Sequence, residues 1–191
     1  MASSLFDVWL REMATLEPAA ERNLDGYGAP VIAWTRVRER LERGLTQAPG
    51  TGGPDRHTCW LATVGPDGRP HVMPLGVLWI DGAFYFNSGA GTRKAKNLAR
   101  NPQCVLTIAT HDFDLVVEGD AEKVTDDPKL ERVVAAYRAE GWEPTLRDGT
   151  LYGEYSAPSA GPPPWDVYEL RPATVFALGT AEPYGATRYR F

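Results

Sequence analysis

The chain has 191 residues and a formal net charge of −5, with 43% hydrophobic and 24% charged residues. That length allows one domain plus an arm, and that balance describes a globular protein able to bury a core without disulfides or a structural metal. The acidic balance excludes a general nucleic-acid binder, because no basic stripe runs long enough to neutralise a row of phosphates.

Residues 1–33 read as an N-terminal helical arm. Leu5, Phe6, Val8, Trp9, Leu10 and Met13 recur at helical spacing, and residues 24–30 are rich in turn formers. The opening MASSLFDVWLREM carries acids and a Trp in place of a long apolar core, so no signal peptide is expected. No apolar run approaches the roughly 18 residues of a membrane span. Residues 34–191 read as one domain. It begins with a helix over 34–43, with Val37 and Leu41 on one face, and APGTGGP (48–54) breaks the chain after it.

The hydrophobic period then changes. Strands are predicted over 58–64, 71–80 and 83–87, joined by the turns Pro66-Asp67-Gly68 and Asp81-Gly82, with Pro74 and Gly76 interrupting the second. A short helix follows over 92–100 and stops at Asn101-Pro102. Strands over 104–110 and 115–124 precede a helix to about residue 140, with Leu130, Val133, Val134 and Tyr137 on one face. Residues 143–164 read as a long loop, and loops of that length in a compact domain are functional or disordered. Two final strands are predicted over 167–170 and 174–178. The whole is mainly β: an antiparallel barrel or sandwich of six to eight strands with short helices between them.

Cys59 and Cys104 sit in apolar strand-like runs and are expected to be buried free thiols. His57, His71 and His111 are isolated in sequence, so no metal site is expected. With no leader, span or basic stripe, the expected protein is soluble and cytoplasmic, with neither nucleic acid nor membrane as partner.

The most informative stretch is FYFNSGAGTRKAKNL (84–98): a strand, a loop of small residues and a helix start that Thr92 can cap. First-turn amides lack partners within a helix, and the macrodipole places partial positive charge there. Helix starts attract Asp or Glu. This one holds Arg93, Lys94 and Lys96, so the counter-anion is missing and an external phosphate would supply it. Ser88 and Thr92 add hydroxyls. The spacing is not that of a Walker A loop.

Together with TVGPDGRPHVMP (63–74), DLVVEGDAEKV (114–124) and the ending TRYRF (187–191), this stretch resembles the pyridoxamine 5′-phosphate oxidase superfamily. Within it the chain is most similar to the flavin/deazaflavin oxidoreductase branch. The resemblance implies a split β-barrel of the FMN-binding type and a homodimer with two cofactor sites at its interface. It implies FMN or the deazaflavin coenzyme F420 as cofactor. Residue by residue, it implies that Ser88, Thr92, Arg93 and Lys94 hold the cofactor phosphate, with Asn87 beside it and Asn97 within the same TRKxxNL pattern. Val72, Met73, Pro74 and Leu75 would present a strand edge to the ring system. Arg188 and Arg190 would close the site, including from the other subunit.

The chain also departs from the family pattern. The Arg that opens the FMN-contacting strand of true pyridoxamine phosphate oxidases corresponds to Met73, and the ring-contacting Gln to about Asp114. The C-terminal substrate-binding Arg and His fall near Ala186 and Arg188, while a second Arg survives as Arg190. Ala cannot replace a charge-assisted phosphate clamp, so vitamin B6 oxidation is not the expected activity. The TRKxxNL helix and TRYRF ending look more like deazaflavin users, and the Arg-over-Lys composition suits a high-GC genome. Coenzyme F420 is therefore preferred over FMN. The implied reaction is hydride transfer to a small apolar or conjugated organic molecule. Its pocket candidates are His71, Tyr152, Tyr155 and Tyr189. The proton donor stays open between Tyr189, Tyr152 and solvent. The rival is a non-catalytic split barrel that binds flavin, deazaflavin or haem.

Overall fold

The computed structural model describes residues 16–45, 59–110 and 112–191. The helix expected within 1–15, the breaker at 48–54, and His57 and His111 lie outside the described residues.

Alternation of buried and exposed residues along the strands generates the sheet. Cys59, Leu61 and Thr63 of β2 (Cys59–Val64) point inward, as do Cys104, Leu106 and Ile108 of β6 (Gln103–Ala109). Phe113, Leu115 and Val117 of β7 (Phe113–Lys123) do the same. β5 (Ala83–Gly89) is buried at every position because both of its faces are covered. The other strands are β1 (Ala20–Asn23), β3 (Pro70–Leu75), β4 (Leu78–Ile80), β8 (Thr145–Arg147), β9 (Thr150–Tyr152), β10 (Trp165–Gly179) and β11 (Ala186–Arg190). These eleven described strands pair antiparallel in the order β1-β11-β10-β7-β6-β2-β3. β5 flanks the first half of β10, β4 pairs with β5, and β9 ties its hairpin with β8 to Trp165. The result is a mainly β, antiparallel split barrel. Its helices are α1 (Trp34–Glu42), α2 (Arg93–Arg100) and α3 (Asp127–Ala139), with a 3-10 turn at Pro158–Ala160.

β10 is the spine. Trp165–Leu170 pairs with β5, Tyr168–Gly179 with β7, and Thr174–Leu178 with β11. Two short strands were expected here, and a single long one forms. The register shift between Pro172 and Thr174 absorbs the missing proline N–H. Gly119 allows it, since a Cβ there would lie 2.1 Å from the Arg171 carbonyl oxygen.

Three further expectations change. The strand predicted over 71–80 divides at Gly76-Val77, and β4 leaves β2 to pair with β5. The loop over 143–164 contains the β8–β9 hairpin and the 3-10 turn. The described part of the expected arm is joined to the barrel. β1 pairs with β11, Ile32 is in the core, and Trp34 Nε1 donates to the Leu16 carbonyl at 2.7 Å. No helix among the described residues is long and apolar enough to cross a membrane. Cys59 and Cys104 are both buried and form no disulfide.

Candidate functional site

α2 is held by its inward face. Ala95 and Leu98 enter the core, and Asn97 Nδ2 donates to Thr63 Oγ1 at 3.0 Å. Asn97, a cofactor-binding residue on the family resemblance, is buried here and docks the helix onto β2. Thr92 has extended backbone, and its hydroxyl accepts from the Ala95 N–H at 3.2 Å. The fully buried Ser88 shares a 2.8 Å hydrogen bond with Thr92 Oγ1. No acid stands in the first turn, and the Arg93 and Lys94 amides have no partner among the described residues. Arg93 is exposed and forms no ion pair among those residues.

Lys94 differs from expectation. Only 2% of it is exposed, and its ammonium donates to the Ser159 carbonyl. Burial pulls its pKa down to about 8. Lys94 thus fastens the segment 157–164, which straps the helix start. Ser159 Oγ donates to the Pro74 carbonyl at 2.7 Å, and Trp165 Nε1 to the Gly161 carbonyl at 2.8 Å. The strap runs so close to β5 that a Cβ on Gly89 would lie 2.9 Å from the Pro162 carbonyl oxygen. Asn87 Nδ2 reaches Ser156 Oγ at 3.2 Å.

Ser156 and Ser159 are therefore the strap residues that meet the cradle. The two tyrosines expected there do not. Tyr155 is 65% exposed and contributes its backbone carbonyl to Trp142, while Tyr152 lies under the Arg147 guanidinium at 5.4 Å. The aromatic residues drew attention in the sequence, whereas the serines were visible only as small polar residues in the same segment.

β3 ends the sheet path, so one of its edges has no strand partner among the described residues. His71, Met73 and Leu75 turn to its more covered face, and Val72 and Pro74 to the exposed one. His71 lies within electrostatic reach of Arg93 and Lys94. Its Nδ1 is buried without a hydrogen bond, and burial together with those two cations lowers its pKa.

Tyr189 belongs to the core instead of a pocket. It is fully buried, its hydroxyl donates to the Ile32 carbonyl, and its ring lies 5.2 Å from Trp34. Burial pushes its pKa well above the ordinary phenol value. That corrects its place as pocket residue and proton donor.

Arg188 and Arg190 alternate with Tyr189 and so occupy the outer face. Register aligns Pro74, Trp60, Thr107, Val116, Phe176 and Arg188 in one cross-sheet row. Val72, Ala62, Val105, Glu118, Thr174 and Arg190 form the next. Five strand spacings, about 24 Å along the sheet, separate these arginines from Pro74 and Val72 in the same chain. Among the described residues no group of three His, Cys, Asp or Glu side chains gathers as a metal site.

Comparison with known proteins agrees with this architecture. A family model described as pyridoxamine 5′-phosphate oxidase matches residues 52–179. A pyridoxine/pyridoxamine 5′-phosphate oxidase of Burkholderia vietnamiensis is 27% identical over 155 residues, covering 71% of this chain and 72% of that protein. A pyridoxamine 5′-phosphate oxidase-related, FMN-binding protein from Nostoc punctiforme superposes with TM-score 0.55 at 19% identity, covering 85% and 93% of the two chains. A heme-binding protein from Mycobacterium smegmatis gives 0.50 at 19% identity, covering 70% and 52%. At these identities the structural likenesses establish the fold.

Proposed function

Because this chain belongs to the pyridoxamine 5′-phosphate oxidase family, we propose that it is an oxidoreductase that binds a phosphate-bearing flavin or deazaflavin and acts on a small apolar or conjugated organic molecule. The observation that carries this reading is the start of α2. Among the described residues, two hydroxyls, two unpartnered amides and the exposed Arg93 meet there with no acid in the first turn, and Asp166, opposite Ser88 on β10, is paired with Lys123. These donors suit a phosphate, because helix-end amides and a guanidinium both strengthen against an anion. Coenzyme F420 is the first assignment, on the likeness of the TRKxxNL helix and TRYRF ending to deazaflavin users. FMN is the second, as in the name of the Nostoc protein.

When bound, the cofactor supplies hydride chemistry. Ser88, Thr92 and Arg93 hold its phosphate, and Lys94 and Ser159 keep the strap over the helix start. The exposed edge of β3 flanks the cradle through Val72 and Pro74. Tyr189 takes no part in proton transfer, since its hydroxyl is committed to Ile32. Vitamin B6 oxidation is not the activity proposed, because Ala186 and Arg188 stand where the resemblance places the substrate-binding Arg and His.

A homodimer completes the reading. Trp60 is 42% and Val72 51% exposed on the outer sheet face, beside the half-covered Val105, Val116 and Phe176. A second copy laid on this apolar face would cover it. A two-fold arrangement would also carry Arg188 and Arg190 of one subunit across to the other subunit's β3, which they do not approach within their own chain.

Spectroscopy of the purified protein tests the cofactor. The expected result is a colourless protein that quenches deazaflavin fluorescence on titration, with affinity falling about tenfold or more in Arg93→Ala, the loss of one charge-assisted contact. A yellow protein with a flavin spectrum would make FMN the cofactor. A Soret band with haem, and no affinity for either flavin, would overturn the proposal in favour of a haem binder.

A further inference from the structure

A cavity of about 280 Å³ opens between α2 and the strands β7 and β10. Lys96 and Ala99 line it from the helix, Ala121 and Lys123 from β7, and Asp166 and Tyr168 from β10. Helical residues two apart point about 160° away from each other. Lys96 therefore lies on the flank opposite Lys94, and Ala99 on the flank opposite Asn97. Lys94 and Asn97 turn to the strap and β2. None of Ser88, Thr92, Arg93 and Lys94 lines the cavity. It is a different place from the phosphate cradle, on the other flank of the same helix.

Small residues make the space. Ala95 and Ala99 on α2 and Ala121 on β7 leave room that larger side chains would fill. Tyr168 stands opposite Phe86 of β5 and Lys123 of β7, so these three side chains share one face. Its ring stacks on Phe86 at 5.3 Å with 8° between the planes, which fixes its position. Tyr168 is only 6% exposed, yet its hydroxyl has no hydrogen-bond partner among the described residues. Burial, and then the Asp166 carboxylate, push its pKa up to about 12, so the hydroxyl is a donor at neutral pH. A largely buried hydroxyl without a partner is costly, and packing alone would be served by Phe. Lys123 Nζ pairs with Asp166 at 2.7 Å. Lys96 is exposed and has no ion pair among the described residues. Two ammonium groups against one carboxylate leave a single positive charge around the cavity.

We propose that this cavity is a second small-molecule site, which takes a monoanionic organic carboxylate with a compact apolar body of one ring or a short branched chain. The alanines and Leu98 receive the body, the Tyr168 hydroxyl donates to the carboxylate, and Lys96 and Lys123 meet its charge. One excess positive charge matches a monoanion better than a phosphate dianion. Lysines also offer point charges in place of the planar fork that clamps a phosphate. The volume lies at the lower end for small-molecule pockets, which sets the size of the ligand. A solvated lysine face accounts for Lys96 and Lys123 but not for an unpartnered phenol in the cavity they flank. The site does not depend on what binds at the start of α2.

Benzoate is the probe, with acetate and sodium chloride at matched ionic strength as controls. Calorimetric affinity and thermal midpoint are measured on wild type, Tyr168→Phe, Lys96→Gln, Ala99→Leu and Arg93→Ala. Tyr168→Phe keeps the ring on Phe86, and Lys96 and Ala99 are exposed, so these variants should fold as wild type does. Benzoate should raise the midpoint of wild type beyond both controls. Its affinity should fall about tenfold in Tyr168→Phe, less in Lys96→Gln, and most in Ala99→Leu, where the added side chain fills the cavity. Arg93→Ala should bind benzoate as wild type does while binding the cofactor less well. Benzoate affinity unchanged in both Tyr168→Phe and Ala99→Leu, or stabilisation no greater than the controls give, would overturn the proposal. Loss of benzoate binding in Arg93→Ala alone would overturn it too, by placing benzoate in the cradle. Of these variants only Arg93→Ala alters a cradle residue, so failure of the second site would leave the cofactor reading standing.

Discussion

The ammonium of Lys94 donates to the carbonyl oxygen of Ser159, joining the first turn of α2 to a strap 65 residues later in the chain. A cation that sequence pattern assigns to a ligand is thereby committed to tertiary structure. The exposed Arg93 next to it keeps the freedom to meet an anion.

Burial gives this lysine a pH signature. Its pKa falls from 10.5 to about 8 in the folded chain. Between those values the unfolded chain binds the proton and the folded chain does not, so this group's contribution to stability rises as pH increases across the interval. The thermal midpoint of wild type, measured against Lys94→Met from about pH 7.5 to 9.5, should climb relative to the variant. Parallel curves would show that the ammonium is not desolvated.

Thr92 serves both helix and ligand. Thr92→Ala removes the acceptor for the Ala95 N–H and the partner of Ser88. The expected cost is about 1 kcal/mol, or roughly 2–4 °C in Tm for a chain of this size. Cofactor affinity should fall as well, and Thr92→Ser should restore both. Loss of stability with unchanged affinity would restrict Thr92 to capping.

Tyr189→Phe separates structure from catalysis. It removes the donor to Ile32, a buried residue, and should destabilise by about 1–3 kcal/mol. Denaturation should record this while cofactor affinity and turnover stay at wild-type values. An enzyme of normal stability with abolished turnover would return Tyr189 to the role of proton donor.

Gly119→Ala tests the spine. A Cβ 2.1 Å from the Arg171 carbonyl oxygen forces β7 and β10 apart. The expected loss is about 3 kcal/mol or more, read as a collapse of the denaturation midpoint or of soluble yield. A variant that melts like wild type would show that the bulge adapts freely.

Much of the barrel was legible because strand alternation and turn residues are local. β2, β5, β6 and β7 follow from their own hydrophobic periods and flanking turns. β10 was not, because Pro172 reads as a break. Whether a strand survives a missing N–H depends on what lies opposite, and here it is Gly119. The division of the strand predicted over 71–80 has a similar origin, since Gly76 can continue a strand or end it, and the pairing of β4 with β5 decides.

By itself the sequence determined the chemistry of the α2 start. Strand, small-residue loop, capping Thr92 and acid-free first turn are contiguous, and contiguous backbone creates the orphan amides. Tertiary structure decided which side chains remain free to use that chemistry. It spent Lys94 on Ser159, Asn97 on Thr63 and Tyr189 on Ile32. It also set Tyr168 opposite Phe86 and Lys123, from three separate strands. Such pairings arise when distant segments compete for the same buried donors and edges, and no local period records them.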